Sequence, residues 1–540
     1  MADSNGSTLL LYNATVRTLD ATGRVCEAVA VRDGRIVAVG TSTDLLTRFA
    51  DADRRDLRGA TVLPGLIDSH LHLLTLGLNS FAVDLSQTAS IADVLGALGD
   101  RIAGTPSGEW VVSSSRWHES QLREGRFPTR NELDAIAPSH PVLLRRGGHN
   151  VVANSVALAA AGIDHGTPDP SGGTYVRDAN GALTGQVIGA PAFGRLVRLL
   201  SEPDEERLVE AIAVASRQLL AAGITGVIEP GLSRNEIAAY RRAYREGALA
   251  VRAVLMPRLD PGVTLEAGDR AAEAFAALEP VGGDVFLNIG PIKIVADGGV
   301  ETSFLREPYA HADDPGAARG KPRVSLENLA AVCRLAAHTG RQIGVHCVGD
   351  AAIDLVLDAF SAADRESSIA SLRWTLIHMT LSRPEHIARA RNLGLVLAVQ
   401  QPLIDALGAG WLTYWGADRA AKASPLRLYA ESGLTVGAGS DAPVTEFSPW
   451  RALWSAATRG TAQAGVLGPD QSVSPSTMVH WYTSGSAALS FDEASRGKIA
   501  TGMLADLIVV RPDPLTVQPD ELSSVRVDLT MVHGHITYEG

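Results

Sequence analysis

A chain of 540 residues is too long for one small core, and it carries a formal net charge of −12 with 46% hydrophobic and 20% charged residues. That is a soluble globular composition; its acidic balance argues against nucleic-acid partners, and no run of about 18 or more apolar residues is present to span a membrane. Three scattered cysteines, Cys26, Cys333 and Cys347, rule out a disulfide framework or a cysteine zinc site and favour a reducing, cytoplasmic compartment, and the first residues lack the basic-then-apolar pattern of a secretory signal.

In chain order, residues 8–62 read as short strands, TLLLYNATVRTL and CEAVAVRDGRIVAVG, with Asp33-Gly34 as a type I′ hairpin signal. The other end reads alike, in ADLIVVRPDP and VRVDLTMVHGHITYEG. Neither end alone has enough strands to bury a face, so residues 1–62 and 490–540 are expected to build one β-sandwich domain.

Between the ends, strand and helix alternate. After PGLIDSHLH (64–72), strand-like runs recur at TGVIEP (225–230), VRAVLMP (251–257), PIKIVAD (291–297), RQIGVHC (341–347), RWTLIHM (373–379), GLVLAVQ (394–400) and LTVGAGSD (434–441). Helical stripes fill the gaps: Leu208, Ile212, Ala215, Leu219 and Ala222 step at i+4 and i+3, as do Ile353, Leu357 and Phe360. Eight such units predict an α/β fold of the TIM (β/α)8 barrel type over residues 63–80 and 201–489. A doubly wound open sheet is the alternative, but no G-x-G-x-x-G opens a helix. The long gap after His72 predicts an inserted α+β domain, residues 81–200, covering the catalytic face.

Polar residues recur at one place, the C-terminal ends of these strands. His70 and His72 end the first, Lys293 lies in the fourth, His346 ends the fifth, His378 the sixth and Asp441 the eighth. His70 and His72 are spaced i, i+2, so both rings face one way. A single histidine in an apolar strand is usually a satisfied core residue. Six such side chains at matching ends converge on a barrel's active face, and imidazole with carboxylate suits zinc or a similar first-row ion.

This ordered set resembles the amidohydrolase superfamily, and the K-I-x-x-D-G form at Lys293–Asp297-Gly298 with the long insertion resembles its family 3 branch, which contains N-substituted formamide deformylase-like hydrolases. The likeness runs to GKIATGMLADLIVV (497–510) and so covers essentially the whole chain. The resemblance implies two divalent ions, with zinc the expected identity. His70, His72 and Asp441 would hold one and His346 with His378 the other. Lys293 would bridge them as a CO2-derived carbamate. It implies attack by metal-bound hydroxide, with Asp441 as general base and then acid.

Further residues are weighed against plain packing. His149 resembles the family's insert motif near the substrate, although this chain has Gly147-Gly148-His149 where many relatives carry an aspartate before the Gly-His. Trp117 and His118 face the pocket or the surface with equal weight. Trp411, Tyr414 and Trp415, on an expected loop at 401–419, wall an apolar pocket or pack between loops and helices. His533 and His535 flank Gly534 in a hairpin turn and are set aside as ligands, and Cys347 is expected to pack.

The expected function is hydrolysis of a C–N bond, an N-formyl or N-acyl amide, in a small, largely apolar substrate. The alternatives are a metal-dependent deaminase or cyclic-amide hydrolase, and a non-catalytic small-molecule binding protein. The expected partner is a small-molecule substrate, with no nucleic acid or membrane and with homodimerisation left open.

Overall fold

The computed structural model describes residues 7–115, 117–146, 150–170, 173–200, 203–262, 275–278, 280–310 and 319–540. These fall into two compact units, one of Met1–His72, Ser216–Asp441 and Phe447–Gly540, the other of Leu73–Ala215 with Ala442–Glu446. The second unit starts earlier and ends later than the stretch 81–200 read from the sequence. The cause is local packing: the short helix Leu73–Asn79 lies so close to the helix Glu205–Ala221 that a side chain on Gly77 would strike the Ala211 carbonyl.

In the first unit, the chain ends form two sheets, the first from N-terminal strands alone and the second from strands of both ends. One runs Arg35–Gly40, Ala28–Arg32, Leu9–Tyr12, Asp53–Asp56; the other runs His535–Glu539, Arg526–Val532, Leu507–Arg511, Thr61–Pro64, Thr15–Arg17, Val25–Cys26. Their alternating apolar residues (Leu11, Val29 and Ile36 against Val62, Val509 and Met531) share one buried cluster. The Asp33-Gly34 turn carries φ of +50° and +72°, the double left-handed geometry of a type I′ hairpin. His533 and His535 flank Gly534 where Val532 pairs with His535.

The rest of this unit is TIM-barrel-like. The first strand (Leu66–Asp68) pairs with the second (Ile224–Leu232), the second with the third (Arg252–Pro257), and the third with Leu287–Ile289, all parallel. A second parallel sheet runs Ile292–Val295, Ile343–Cys347, Thr375–His378, Val396–Gln400, Val436–Gly439. The fourth strand is interrupted at Gly290-Pro291: its front half pairs with the third strand, and its back half pairs with the fifth while Lys293 keeps a parallel bridge to Arg258 just past the third, Pro291 having no N–H for either ladder. The ladders form two five-stranded sheets and no closed ring among the described residues. Ile228, Val254 and Met256 of one sheet nevertheless share a buried cluster with Ile377, Val396 and Ala398 of the other. Helices Leu326–His338 and Asp350–Asp364 follow the fourth and fifth strands and bury apolar stripes, Ile353, Leu357 and Phe360 among them.

The second unit holds its own sheet, Thr174–Arg177, Leu183–Ile188, Asn150–Ala153, Val142–Arg146, Val111–Val112. Period-two alternation divides its side chains between two faces. Val142, Leu144 and Val152 pack with Leu98 and Leu133, while Leu143, Val151 and Ala153 pack with Leu158 and Leu196. No helix among the described residues is long and apolar enough to cross a membrane.

Candidate metal centre

Four histidines, one lysine and one aspartate meet at the C-terminal ends of the parallel strands. His70 Nε2 lies 3.5 Å and His72 Nε2 3.3 Å from the same Asp441 oxygen. One ligand atom from each of these three residues falls within 4.8 Å of the other two. The His378 ring centroid is 5.0 Å from that of His70 and 4.4 Å from that of His346. Lys293 is buried, 4% exposed, in the back half of the split strand and in register beside Gly344.

The backbone works to produce this convergence. Ile377 belongs to the interior cluster, so strict alternation would turn His378 away from it. His378 instead adopts φ of +72° and Met379 +56°, and the strand end twists the imidazole back toward His346. Asp441 likewise sits at φ +61°. Non-glycine residues with left-handed backbone cost about 1–2 kcal/mol each and gather at functional sites.

Two buried carboxylates outside the ligand set lock the ligand-bearing segments together. Asp68 accepts the N–H of His70 at 3.0 Å and that of Ser440 at 3.1 Å, tying the first strand end to the eighth. Gly439 permits that approach: a Cβ there would lie 2.7 Å from His70 N. Asp297 accepts N–H groups of Val348 (3.0 Å), Gly349 (2.9 Å) and Phe304 (3.0 Å), tying the loop after Lys293 to the segment after His346. Neither aspartate is marked in the sequence for this role, because their partners are backbone groups far along the chain.

The electrostatics suit a cation. Burial holds His70 and His346 well below the ordinary imidazole value and His378 at about 4, so all three are neutral donors at pH 7. Burial also pushes the Lys293 amine down to about 7, against the attraction of Asp441. Burial raises Asp441, but the His72 hydrogen bond and the charges of His378, His72 and Lys293 outweigh it and hold the carboxyl below its ordinary value. Asp68 and Asp297 are raised to about 7 by burial, against their N–H donors. The Nδ1 atoms of His70 and His378 are buried without a hydrogen-bond partner. Neutral imidazoles beside an ionised carboxylate are a donor set that fits a divalent first-row ion.

The other sequence-predicted residues have different surroundings. Trp117 lies in the core of the Leu73–Ala215 unit, its Nε1–H donating to the Arg145 carbonyl at 2.6 Å and its ring edge-on to Phe127. His118 Nε2 receives a hydrogen bond from Arg146 at 2.9 Å, and Arg146 also grips Glu119. His149 lies outside the described residues. The expected loop at 401–419 is largely helix, Pro402–Trp415, opened by proline and closed at Gly416 with φ +79°. On it Trp411 and Trp415 are each 1% exposed and stacked 5.5 Å apart, and Trp415 Nε1–H donates to Val300 in the loop after the fourth strand. This pair braces the scaffold; Tyr414 alone of the three is exposed. Cys347 is fully buried against backbone and Met379.

The seventh strand contributes a residue that sequence reading passed over. Gln400 ends it, as His346 and His378 end theirs, and its side chain is buried near His378.

A strand-end cluster of histidines, lysine and aspartate on a TIM-barrel-like scaffold defines a metal-dependent hydrolase of the amidohydrolase type. The amidohydrolase family model matches residues 54–538, and the chain belongs to that family. A bacterial imidazolonepropionase-like composite domain matches residues 28–52. The chain is 32% identical to the putative amidohydrolase YtcJ of Bacillus subtilis (strain 168), over 98% of this chain and 99% of that one. It is 31% identical to the N-substituted formamide deformylase of Arthrobacter pascens, with 98% of each chain covered. Among solved structures, an uncharacterized metal-dependent hydrolase from Pyrococcus horikoshii OT3 superposes with a TM-score of 0.74 at 26% identity, over 95% of this chain and 99% of that one.

Proposed function

We propose that this protein hydrolyses the amide bond of a small, largely apolar N-formyl or N-acyl compound, using two divalent ions, zinc by preference. The observation that carries this reading is that His70, His72 and Asp441 surround one point, with His346, His378 and a Lys293 whose amine burial lowers to about 7 beside them. In it His70, His72 and Asp441 would hold one ion and His346 and His378 the other, at the C-terminal ends of the parallel strands. When bound, such ions polarise a carbonyl and make water a nucleophile at neutral pH.

The chain's own groups supply the rest. The Lys293 amine is deprotonated above pH 7 and so can attack CO2: a C–N bond forms, one proton leaves, and an anionic carbamate replaces a cation that would repel metal. Asp441, ionised at neutral pH, accepts the proton of the attacking water and hands it to the departing nitrogen. The N-formyl preference is supported by the deformylase of Arthrobacter pascens, similar along its whole length. Three free cysteines support a reducing, cytoplasmic setting.

A second reading, ring deamination at one metal, shares the scaffold but has no use for Lys293. A panel of N-aryl and N-alkyl formamides, acetamides, N-acyl amino acids, cyclic amides and aminated heterocycles, run with metal-loaded protein, separates the two. Formate or carboxylate release is expected. Turnover confined to the heterocycles, with ammonia released, would overturn the proposal.

A further inference from the structure

Gln400 ends the strand Val396–Gln400, which pairs in parallel with the strand bearing His378 on one side and the strand leading to Asp441 on the other. Val396 and Ala398 lie in the apolar cluster that fills the space between the two parallel sheets. Period-two alternation puts Gln400 on that same face, one step further toward the ligand-bearing ends. An apolar series therefore switches to a carboxamide at the level where the histidines gather. Gln400 is 2% exposed, and among the described residues His378 is the one side chain within reach of its carboxamide, which makes no other hydrogen bond. Gln401 is also buried, with its carboxamide unpaired, but its backbone is already helical and it lies off the strand.

A buried carboxamide with His378 as its one neighbour leaves most of its donor and acceptor capacity unused, which is costly, and native proteins seldom keep such a group without a use. Packing alone would be served by leucine or methionine. A carboxamide offers an acceptor and a donor on one edge, the complement of an amide N–H and C=O. Resting on the amide-hydrolase reading above, we infer that Gln400 is a substrate-contact residue whose Oε1 accepts the N–H of the scissile amide, making the site selective for secondary amides over esters.

The test compares N-benzylformamide with benzyl formate, which has the same carbonyl but no N–H, using metal-loaded wild type and Gln400→Met. Methionine keeps the length and burial and removes both polar atoms. The expected result is a fall of at least tenfold in kcat/KM for the formamide, with ester turnover within about threefold and metal content unchanged. The ester activity doubles as the control that the variant folds. An equal fall on both substrates, or loss of metal from the variant, overturns the inference and makes Gln400 a support for His378. If wild type hydrolyses neither compound, the amide-hydrolase reading falls separately. Gln400 is then judged by calorimetric binding of N-benzylformamide, which must weaken at least tenfold in Gln400→Met; equal or undetectable binding overturns it.

Discussion

Lys293 gives the sharpest test of the metal centre, because its effect on stability should change sign with metal. In the metal-free protein its folded pKa of about 7 lies roughly 3.5 below the unfolded value. Between those two values the unfolded chain binds one more proton than the native one, so stability rises with pH across that window; below pH 7 the penalty of burying the amine is complete. Integrating the shift gives a penalty of about 4–5 kcal/mol at pH 6 and about 2 kcal/mol at pH 9. Lys293→Met keeps the stem and removes the ionisable group. Urea denaturation of chelator-treated protein should therefore find Lys293→Met more stable than wild type, with the advantage shrinking by about 2–3 kcal/mol from pH 6 to pH 9. Loading with zinc and bicarbonate should reverse the order, since only wild type can supply the bridging anion. A variant no more stable than wild type at pH 6 without metal, or a difference that ignores pH, would refute the account of Lys293 as a buried amine held ready for another state.

Three further outcomes are expected. Asp441→Asn should retain the fold but lose turnover by roughly three or more orders of magnitude, since an amide cannot accept the water's proton; near-normal rates would make Asp441 a bystander. Asp68→Asn should bind metal more weakly in titration, because an NH2 group then faces the N–H of Ser440 or His70, and its stability relative to wild type should rise from pH 5 to pH 8, since only wild type bears the cost of ionising a carboxyl that burial raises to about 7; a difference that ignores pH would refute this. Arg252 and Asp506 form a buried two-bond pair (2.6 and 3.0 Å) joining the third strand to the strand Leu507–Arg511, and Asp506→Ala should cost about 3–5 kcal/mol by urea denaturation through the charge it strands on Arg252.

The centre was legible in the sequence to the extent that strand periodicity carried it. His70 and His72 were marked by their i, i+2 spacing, although the strand ends at Asp68 and both lie just past it, and Lys293 and His346 lie on inward positions of runs whose apolar pattern is plain. His378 and Asp441 were found by their place at strand ends, yet alternation alone would have aimed His378 outward; its φ of +72° is a property of the folded chain with no marker in RWTLIHM. The front half of the fourth strand was hidden for a related reason: Leu287–Ile289 lies ahead of the PIKIVAD run, beyond Gly290-Pro291, which interrupt the apolar pattern. The helix Pro402–Trp415 was marked, by proline at its start and glycine at its end, but Gly408 and Gly410 and its near-uniform apolarity masked the period.

Least legible were the groups that hold the ligands still. Asp68 meets Ser440 across 372 residues, and Asp297 meets Gly349 across 52, in both cases through backbone N–H that every residue but proline possesses. Nothing about Ser440 or Gly349 as residue types advertises such a partner. An aspartate wholly inside an apolar run is nevertheless a readable anomaly, because a buried carboxylate persists only where donors are concentrated on it. Gln400 belongs to the same class: a polar residue closing an apolar strand whose neighbours on both sides close in or lead to metal-ligand candidates. Strand-end position, rather than residue type, is the property that His346, His378, Gln400 and the Ser440-Asp441 turn have in common. It follows that polar residues in a barrel sequence are best read by their distance from the end of the apolar run, and only then by what their side chains can ligate.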